Sequence, residues 1–319
     1  MANSVAGYAF DIEGTLYKGG KLQAGVPELF QFLTQQKKPI MFVSGMNLSE
    51  MTKVVSQIEK ESNVNLSDCT FASNAGSVIN KDAKTVQESA LSPEEVKEIR
   101  RMAQKIAPGS VMVFRTRLNN YREKAIEADT IPNKIRKGIT IVLKVLLQVM
   151  RKIELHTIPT NRTKLNKMID NKECYSLDII AMPKQAVELA KAVKEKFPKL
   201  KISGGASLQV SNKDKWAAIE SQFADKARDV CYFGDNANDI KCIMNCDRAI
   251  LSNATKTKMF EVLGREQSNK KQKFATHNFN NSELFKYISG QEYKLDDMVA
   301  MTKDAMLDIN DTKKVEKEK

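Results

Sequence analysis

Four places in this chain set chemically able side chains beside short apolar runs. Asp11 and Glu13 follow the run at residues 5–10, in "GYAFDIEGT". Ser44 follows residues 39–43, and Gly234-Asp235-Asn236-Ala237-Asn238-Asp239 follows residues 230–233. Lys215 opens the run at residues 216–223, with Lys213 as the competing lysine. A carboxylate at the mouth of a buried strand is expensive without a partner. Several such acids brought together repel one another unless a hard cation lies between them, and an all-oxygen set with few waters suits magnesium. Adding the Ser44 hydroxyl and the lysine ammonium gives donors for a phosphate. The chemistry this set allows is metal-assisted work on a phosphate.

These residues converge only if the strands are parallel neighbours. Residues 5–10 and 39–43 read as buried strands, and residues 26–36 as a helix with Leu29, Phe32 and Leu33 on one face. Asn47 and Glu50 form a capping box that opens a helix with Met51, Val54, Val55 and Ile58 inward. Residues 70–79 hold another strand, broken by Asn74-Ala75-Gly76. Strand and helix alternate, which argues an α/β fold with a parallel, Rossmann-like sheet. Residues 16–22 read as a hairpin turning at Gly19-Gly20. The same alternation returns from about residue 207, with strands at 208–211, 230–233 and 249–251 and a helix through Ile243.

A middle region, residues 82–206, interrupts the pattern. It opens with a helix cap at Ser92-Pro93-Glu94-Glu95. Strand candidates lie at 111–114, 139–147 and 177–182, and a helix at 185–197; residues 139–150 fit strand and helix equally by period. Arg100, Arg101, Arg115, Arg117, Arg122, Lys134, Arg136 and Lys137 crowd this region. Most read as solvated faces; Arg115 and Arg117, just after a predicted strand, are the substrate candidates. The expected division is 1–81 and 207–290 for the sheet core, 82–206 for an inserted α/β unit, and 291–319 for a polar tail ending "KKVEKEK".

Composition excludes several classes. The 319 residues, 42% hydrophobic and 28% charged, are ordinary for a globular protein. No stretch reaches the roughly 20 apolar residues of a membrane span, and the first residues lack a signal-peptide pattern. Five cysteines, odd in number, fit a reducing cytoplasm better than a disulfide framework. Cys242 and Cys246, four apart, read as core packing, as does Trp216. Two histidines, His156 and His277, leave little for a histidine relay or a zinc site. Net charge is +12, yet no basic run is interleaved with stacking aromatics, so no nucleic-acid partner is expected.

With these residues in order, the chain resembles the haloacid dehalogenase superfamily of phosphotransferases, over about residues 4–289. Asp11-Ile12-Glu13-Gly14-Thr15 matches its first motif, with Glu in place of the usual second Asp. Members similar to enolase-phosphatase carry that same form. Ser44 matches the second motif, Lys215 the third and Gly234 to Asp239 the fourth. Lys215-Trp-Ala-Ala-Ile219 and Gly-Asp-x-x-Asn-Asp are closest to the Cof-like branch, although Trp216 replaces a glycine. The resemblance makes the middle region a type II cap and the Gly-Gly hairpin a flap.

It also implies roles. Asp11 would be the nucleophile and Glu13 the general acid and base. Ser44, with Gly45 beside it, and Lys215 would hold the transferring phosphoryl group, with Arg115 and Arg117 reaching the rest of the substrate. Asp11, the Glu13 carbonyl, Asp235 and Asp239 would hold Mg2+, and Asn238 would assist Asp239 in orienting Lys215. The implied protein is a cytoplasmic phosphatase of small phosphorylated metabolites, monomer or homodimer, with no membrane partner. The alternative is a non-catalytic sensor of such metabolites on the same fold.

Overall fold

The computed structural model describes residues 5–123, 157–181, 183–204, 208–235, 237–252 and 274–277. The expectations for residues 139–150, for Lys134, Arg136 and Lys137, and for the tail at 291–319 lie outside them.

Among the described residues, eight strands form one sheet. They are β1 (Gly7–Phe10), β4 (Ile40–Val43), β5 (Thr70–Ser73), β6 (Val78–Lys81), β7 (Lys84–Glu88), β14 (Val230–Gly234), β15 (Arg248–Ser252) and β16 (Phe274–His277). Their order is β16-β15-β14-β1-β4-β5-β6-β7. The strands from β16 to β5 run parallel, and β6 and β7 return antiparallel. The chain leaves β1 toward β4 on one side and comes back to β14 on the other. Such a reversal of strand order is where open α/β sheets bind ligands.

All of β1 is buried, and its side chains alternate between the two faces of the sheet, as strand geometry requires. Tyr8 and Phe10 of β1 pack into one core cluster, under α1 (Val26–Gln35) and α2 (Leu48–Ser62). Ala9 packs into the other, under α6 (Lys215–Phe223) and α7 (Ile240–Asn245). Phe10 stacks on Phe233 with ring centroids 4.5 Å apart and meets Phe30 at 5.3 Å. Truncating such a fully buried Phe to Ala costs about 3–5 kcal/mol. The Asn47–Glu50 capping box of α2 is formed in both directions. The hairpin of β2 (Tyr17–Lys18) and β3 (Lys21–Leu22) turns at Gly19 and Gly20, both at positive φ as a two-residue turn demands.

A second, six-stranded sheet has the order β10-β9-β8-β11-β13-β12. Its strands are β8 (Val111–Arg115), β9 (Asn120–Glu123), β10 (Thr157–Thr160), β11 (Ser176–Ile180), β12 (Lys201–Gly204) and β13 (Leu208–Ser211). Phe114, Leu177, Ile179, Leu208 and Val210 form an apolar cluster with residues of α3 (Pro93–Ile106), α4 (Arg162–Asp170) and α5 (Pro183–Lys196). Arg115, Asp178 and Gln209 alternate with these residues on their strands, so they lie on the opposite face.

The two sheets exchange strands at places the sequence does not mark. Leu208–Ser211, expected in the core, pairs with β11 and β12 in the second sheet. Lys84–Glu88, expected in the insertion, pairs with β6 in the first. A short strand shows the same alternation whichever sheet receives it, so the partner is settled in three dimensions. The crossings lie side by side: Asn212 Nδ2 donates to the Ala90 carbonyl at 2.5 Å.

Candidate active site

Three adjacent parallel strands end on one rim. Phe10 stands level with Phe233 of β14 and Phe42 of β4, so Asp11, Asp235 and Ser44 emerge from neighbouring points. The Asp11 N–H donates to the Phe233 carbonyl at 2.8 Å, extending the ladder into the site. Lys215 is the first residue of α6, which Asp214 caps by accepting from the Ala217 N–H at 2.8 Å. Its side chain is almost wholly buried and donates to Asp11 Oδ1 and Asp239 Oδ1, both at 2.7 Å. Lys215, and not Lys213, therefore brings the ammonium to the acids.

Asp239 is occupied with holding its neighbours. Its Oδ1 also accepts from the Tyr232 hydroxyl at 2.5 Å, and its Oδ2 accepts from the Asp235 N–H at 3.0 Å. Asn238 sits beside it in the short turn Ala237–Asp239. The loop after Asp11 is fixed by Gln23, whose Nε2 donates to the carbonyls of Gly14 at 2.5 Å and Thr15 at 2.8 Å. Gly14 is required here. Its φ is +88°, and a Cβ would fall 1.9 Å from Asp235 Oδ2. Ser44 is buried at the end of β4, and its Oγ accepts from the Met46 N–H at 3.3 Å.

Burial, then Asp239, push the Asp11 carboxyl up to about 7 against the pull of Lys215. Burial, then Asp11 and Asp239, push Asp235 up to about 9. Burial alone would depress Lys215, but Asp11 and Asp239 outweigh it and hold the ammonium charged. Burial also raises Glu13, helped by Glu50 and Asp178 and opposed chiefly by Arg115. Asp11, Asp235 and Asp239 offer carboxylate oxygens that all lie within 4.8 Å of one another. Buried carboxylate oxygens this close fit a small hard cation. They fit magnesium as a donor set.

The second sheet covers this rim. Gln209 lies against Gly45, where a Cβ would stand 3.0 Å from its Nε2. Arg115 reaches the region as expected, but it is already paired. Its Nε donates to Asp178 Oδ2 at 2.5 Å, and its NH1 is 3.5 Å from Glu50 Oε2. Arg117 points elsewhere: its half-exposed guanidinium meets Thr85 at 3.3 Å and Glu88 at 3.4 Å on β7.

A family model of haloacid dehalogenase-like hydrolases matches residues 8–259. The chain belongs to this family. Comparison with curated proteins gives no match. Among solved structures, the haloacid dehalogenase-like chain is similar to a subclass IIB sugar phosphatase, with a TM-score of 0.59 and 16% identity over 89% of this chain and 98% of that one. It is also similar to a Streptococcus mutans UA159 protein, with a TM-score of 0.64 and 14% identity over 90% and 98%. A Bacteroides thetaiotaomicron haloacid dehalogenase superfamily phosphatase gives 0.62 and 14% over 91% and 97%. At these identities the likeness is one of fold.

Tyr232, Gln23, Glu50, Asp178 and Gln209 were not singled out from the sequence. Tyr232 reads as one apolar residue of a buried strand, and the others as ordinary polar positions. Only Glu50 carried a signal, and that signal was a helix cap. The five cysteines are buried and free, as a core role requires, and Trp216 is buried with Cys242 and Cys246. Among the described residues, no helix is long and apolar enough to cross a membrane.

Proposed function

We propose that this hydrolase is a magnesium-dependent phosphatase of small phosphorylated metabolites in the cytoplasm, acting through an aspartyl-phosphate, with the second sheet and its helices as the cap. The observation that carries this reading is Lys215, held between Asp11 and Asp239 at 2.7 Å in a nest of three buried acids. One carboxylate beside a fixed ammonium and a cation site is suited to attack. The others are suited to hold charge.

In the proposed reaction an Asp11 oxygen bonds to phosphorus as the ester P–O bond breaks, and Glu13 gives its proton to the leaving oxygen. Water then attacks phosphorus, Glu13 takes its proton, the bond to Asp11 breaks, and phosphate leaves. Burial raises the proton affinity of Glu13, the direction that a general acid needs. Ser44, the Gly45 backbone and Lys215 stabilise charge on the transferring group, the main protein task in such reactions. Asp11, Asp235 and the Glu13 carbonyl, with support from Asp239 and Asn238, would hold magnesium, and the chemistry it would supply is Lewis acidity.

Hydrolysis of p-nitrophenyl phosphate, with magnesium and with chelator, is the direct test. A panel of sugar phosphates, nucleotides and pyridoxal phosphate then ranks substrates. Magnesium-dependent turnover is expected. A folded protein that binds these compounds and turns over none would be a phosphometabolite sensor.

A further inference from the structure

The second sheet brings one side chain against the backbone beside Ser44. Gln209 of β13 lies so close to Gly45 that a Cβ there would stand 3.0 Å from its Nε2 and 3.6 Å from its Oε1. Gly45 is not among the residues at positive φ, so its backbone conformation does not call for glycine. What the position lacks is room, because the Gln209 amide, nitrogen foremost, already occupies it.

That amide is held at both ends. Its Nε2 donates to Asp178 Oδ1 at 3.1 Å, and its Oε1 accepts from the Ser203 hydroxyl at 3.4 Å. Asp178 is anchored in turn, since Arg115 takes its Oδ2 with Nε and NH2, each at 2.5 Å. A carboxylate clamped by a guanidinium can only accept, which fixes the amide nitrogen on that side. Gln209 is 5% exposed. An amide nitrogen carries two N–H groups, and only one of these meets an acceptor among the described residues. A buried donor without a partner is costly, so this one is placed for an oxygen that a ligand brings.

We propose that Gln209 is a phosphate-binding residue supplied by the second sheet, its remaining N–H donating to an oxygen of a phosphoryl group seated at Ser44 and Gly45. The seat itself rests on the phosphatase reading. A donor already fixed in place needs no reorganisation when charge develops on that oxygen. Gly45 and Gln209 then work as a pair: the glycine leaves the space, and the amide comes through it. The first sheet supplies one side of the phosphate cradle and the second sheet the other.

Binding of inorganic phosphate with magnesium, read by calorimetry on the full chain, tests this without needing turnover. Gln209→Met keeps the length and removes the amide. It should raise Kd for phosphate by about tenfold, with a matching rise in Ki against p-nitrophenyl phosphate. Gln209→Asn withdraws the N–H by one methylene and should show a similar rise, which keeps the test decisive if circular dichroism shows the Met variant poorly folded. Gly45→Ala should also weaken phosphate binding, yet add little to Gln209→Ala, where the methyl group has room. Fully additive losses would remove the contact and the proposal with it. An unchanged Kd in a folded Met or Asn variant, with only Tm lowered, would make Gln209 part of the frame and overturn the proposal. A KM rise confined to sugar phosphates, with Kd for phosphate unchanged, would put Gln209 against the leaving group and overturn it as well. A wild-type protein that binds phosphate and hydrolyses nothing would sink the phosphatase reading alone, since the Kd ratio still decides this one. A wild-type protein that binds no phosphate would sink both.

Discussion

The rim of the first sheet and the facing surface of the second are both dense in buried charge, but they are balanced differently. At the rim, Asp11, Asp235 and Asp239 share one ammonium, and burial with mutual repulsion lifts Asp11 to about 7 and Asp235 to about 9. On the facing surface, Arg115, Asp178 and Gln209 are paired, with Glu50 of α2 approaching Arg115 from the other side. The rim is short of positive charge, and that deficit fits it to a cation. The groups on the facing side are paired with one another and with Glu50 of α2, as a frame must be. Charge balance therefore separates groups that act from groups that hold others in place.

The strongest way to break this comparison is at Asp11. Asp11→Asn should lower turnover at least about a thousandfold while the protein stays folded, because an amide cannot form the acyl phosphate. Steady-state rates and circular dichroism check both halves. Retained turnover would move the nucleophile elsewhere on the rim.

Asp235→Asn should raise the magnesium concentration for half-maximal rate by about tenfold or more, since a hard cation loses an anionic ligand. A magnesium titration reads this. An unchanged midpoint would take Asp235 out of the metal shell.

The charge deficit also predicts a pH effect on stability. Asp11 and Asp235 bind protons more tightly folded than unfolded. Their contribution without metal is therefore fully present below about pH 4, the unfolded carboxylate range. It falls as pH rises through about 7 for Asp11 and about 9 for Asp235. Magnesium displaces those protons, so the Tm gain from added magnesium should be larger at pH 8.5 than at pH 5.5, by about 5 °C. Thermal melts at the two values measure it. An equal gain at both would mean that the acids are already ionised without the metal.

The smallest effect belongs to Arg117. Its exposed contacts with Thr85 and Glu88 resemble surface pairs worth about 0–1 kcal/mol. Arg117→Ala should leave kcat and KM within about twofold. A large KM change would return Arg117 to the substrate.

The sequence by itself determined the strand ends and what they carry. Asp11, Ser44, Asp235 and Asp239 were legible because each follows a run whose period names its element, whereas Lys215 was legible only as one of two candidates with Lys213, and its contacts with Asp11 and Asp239 decided between them. The caps at Asn47 and Ser92 were legible for the same local reason, and both formed as read. Only the tertiary structure decided which sheet took Lys84–Glu88 and Leu208–Ser211, since a strand's alternation does not encode its partner. It also decided that Arg115 meets Asp178 and Glu50, 63 and 65 residues away, while Arg117 turns to β7. Local chemistry follows from neighbours along the chain. Charge compensation in a buried site depends on which distant strands come to lie side by side, and the packing of two sheets sets that.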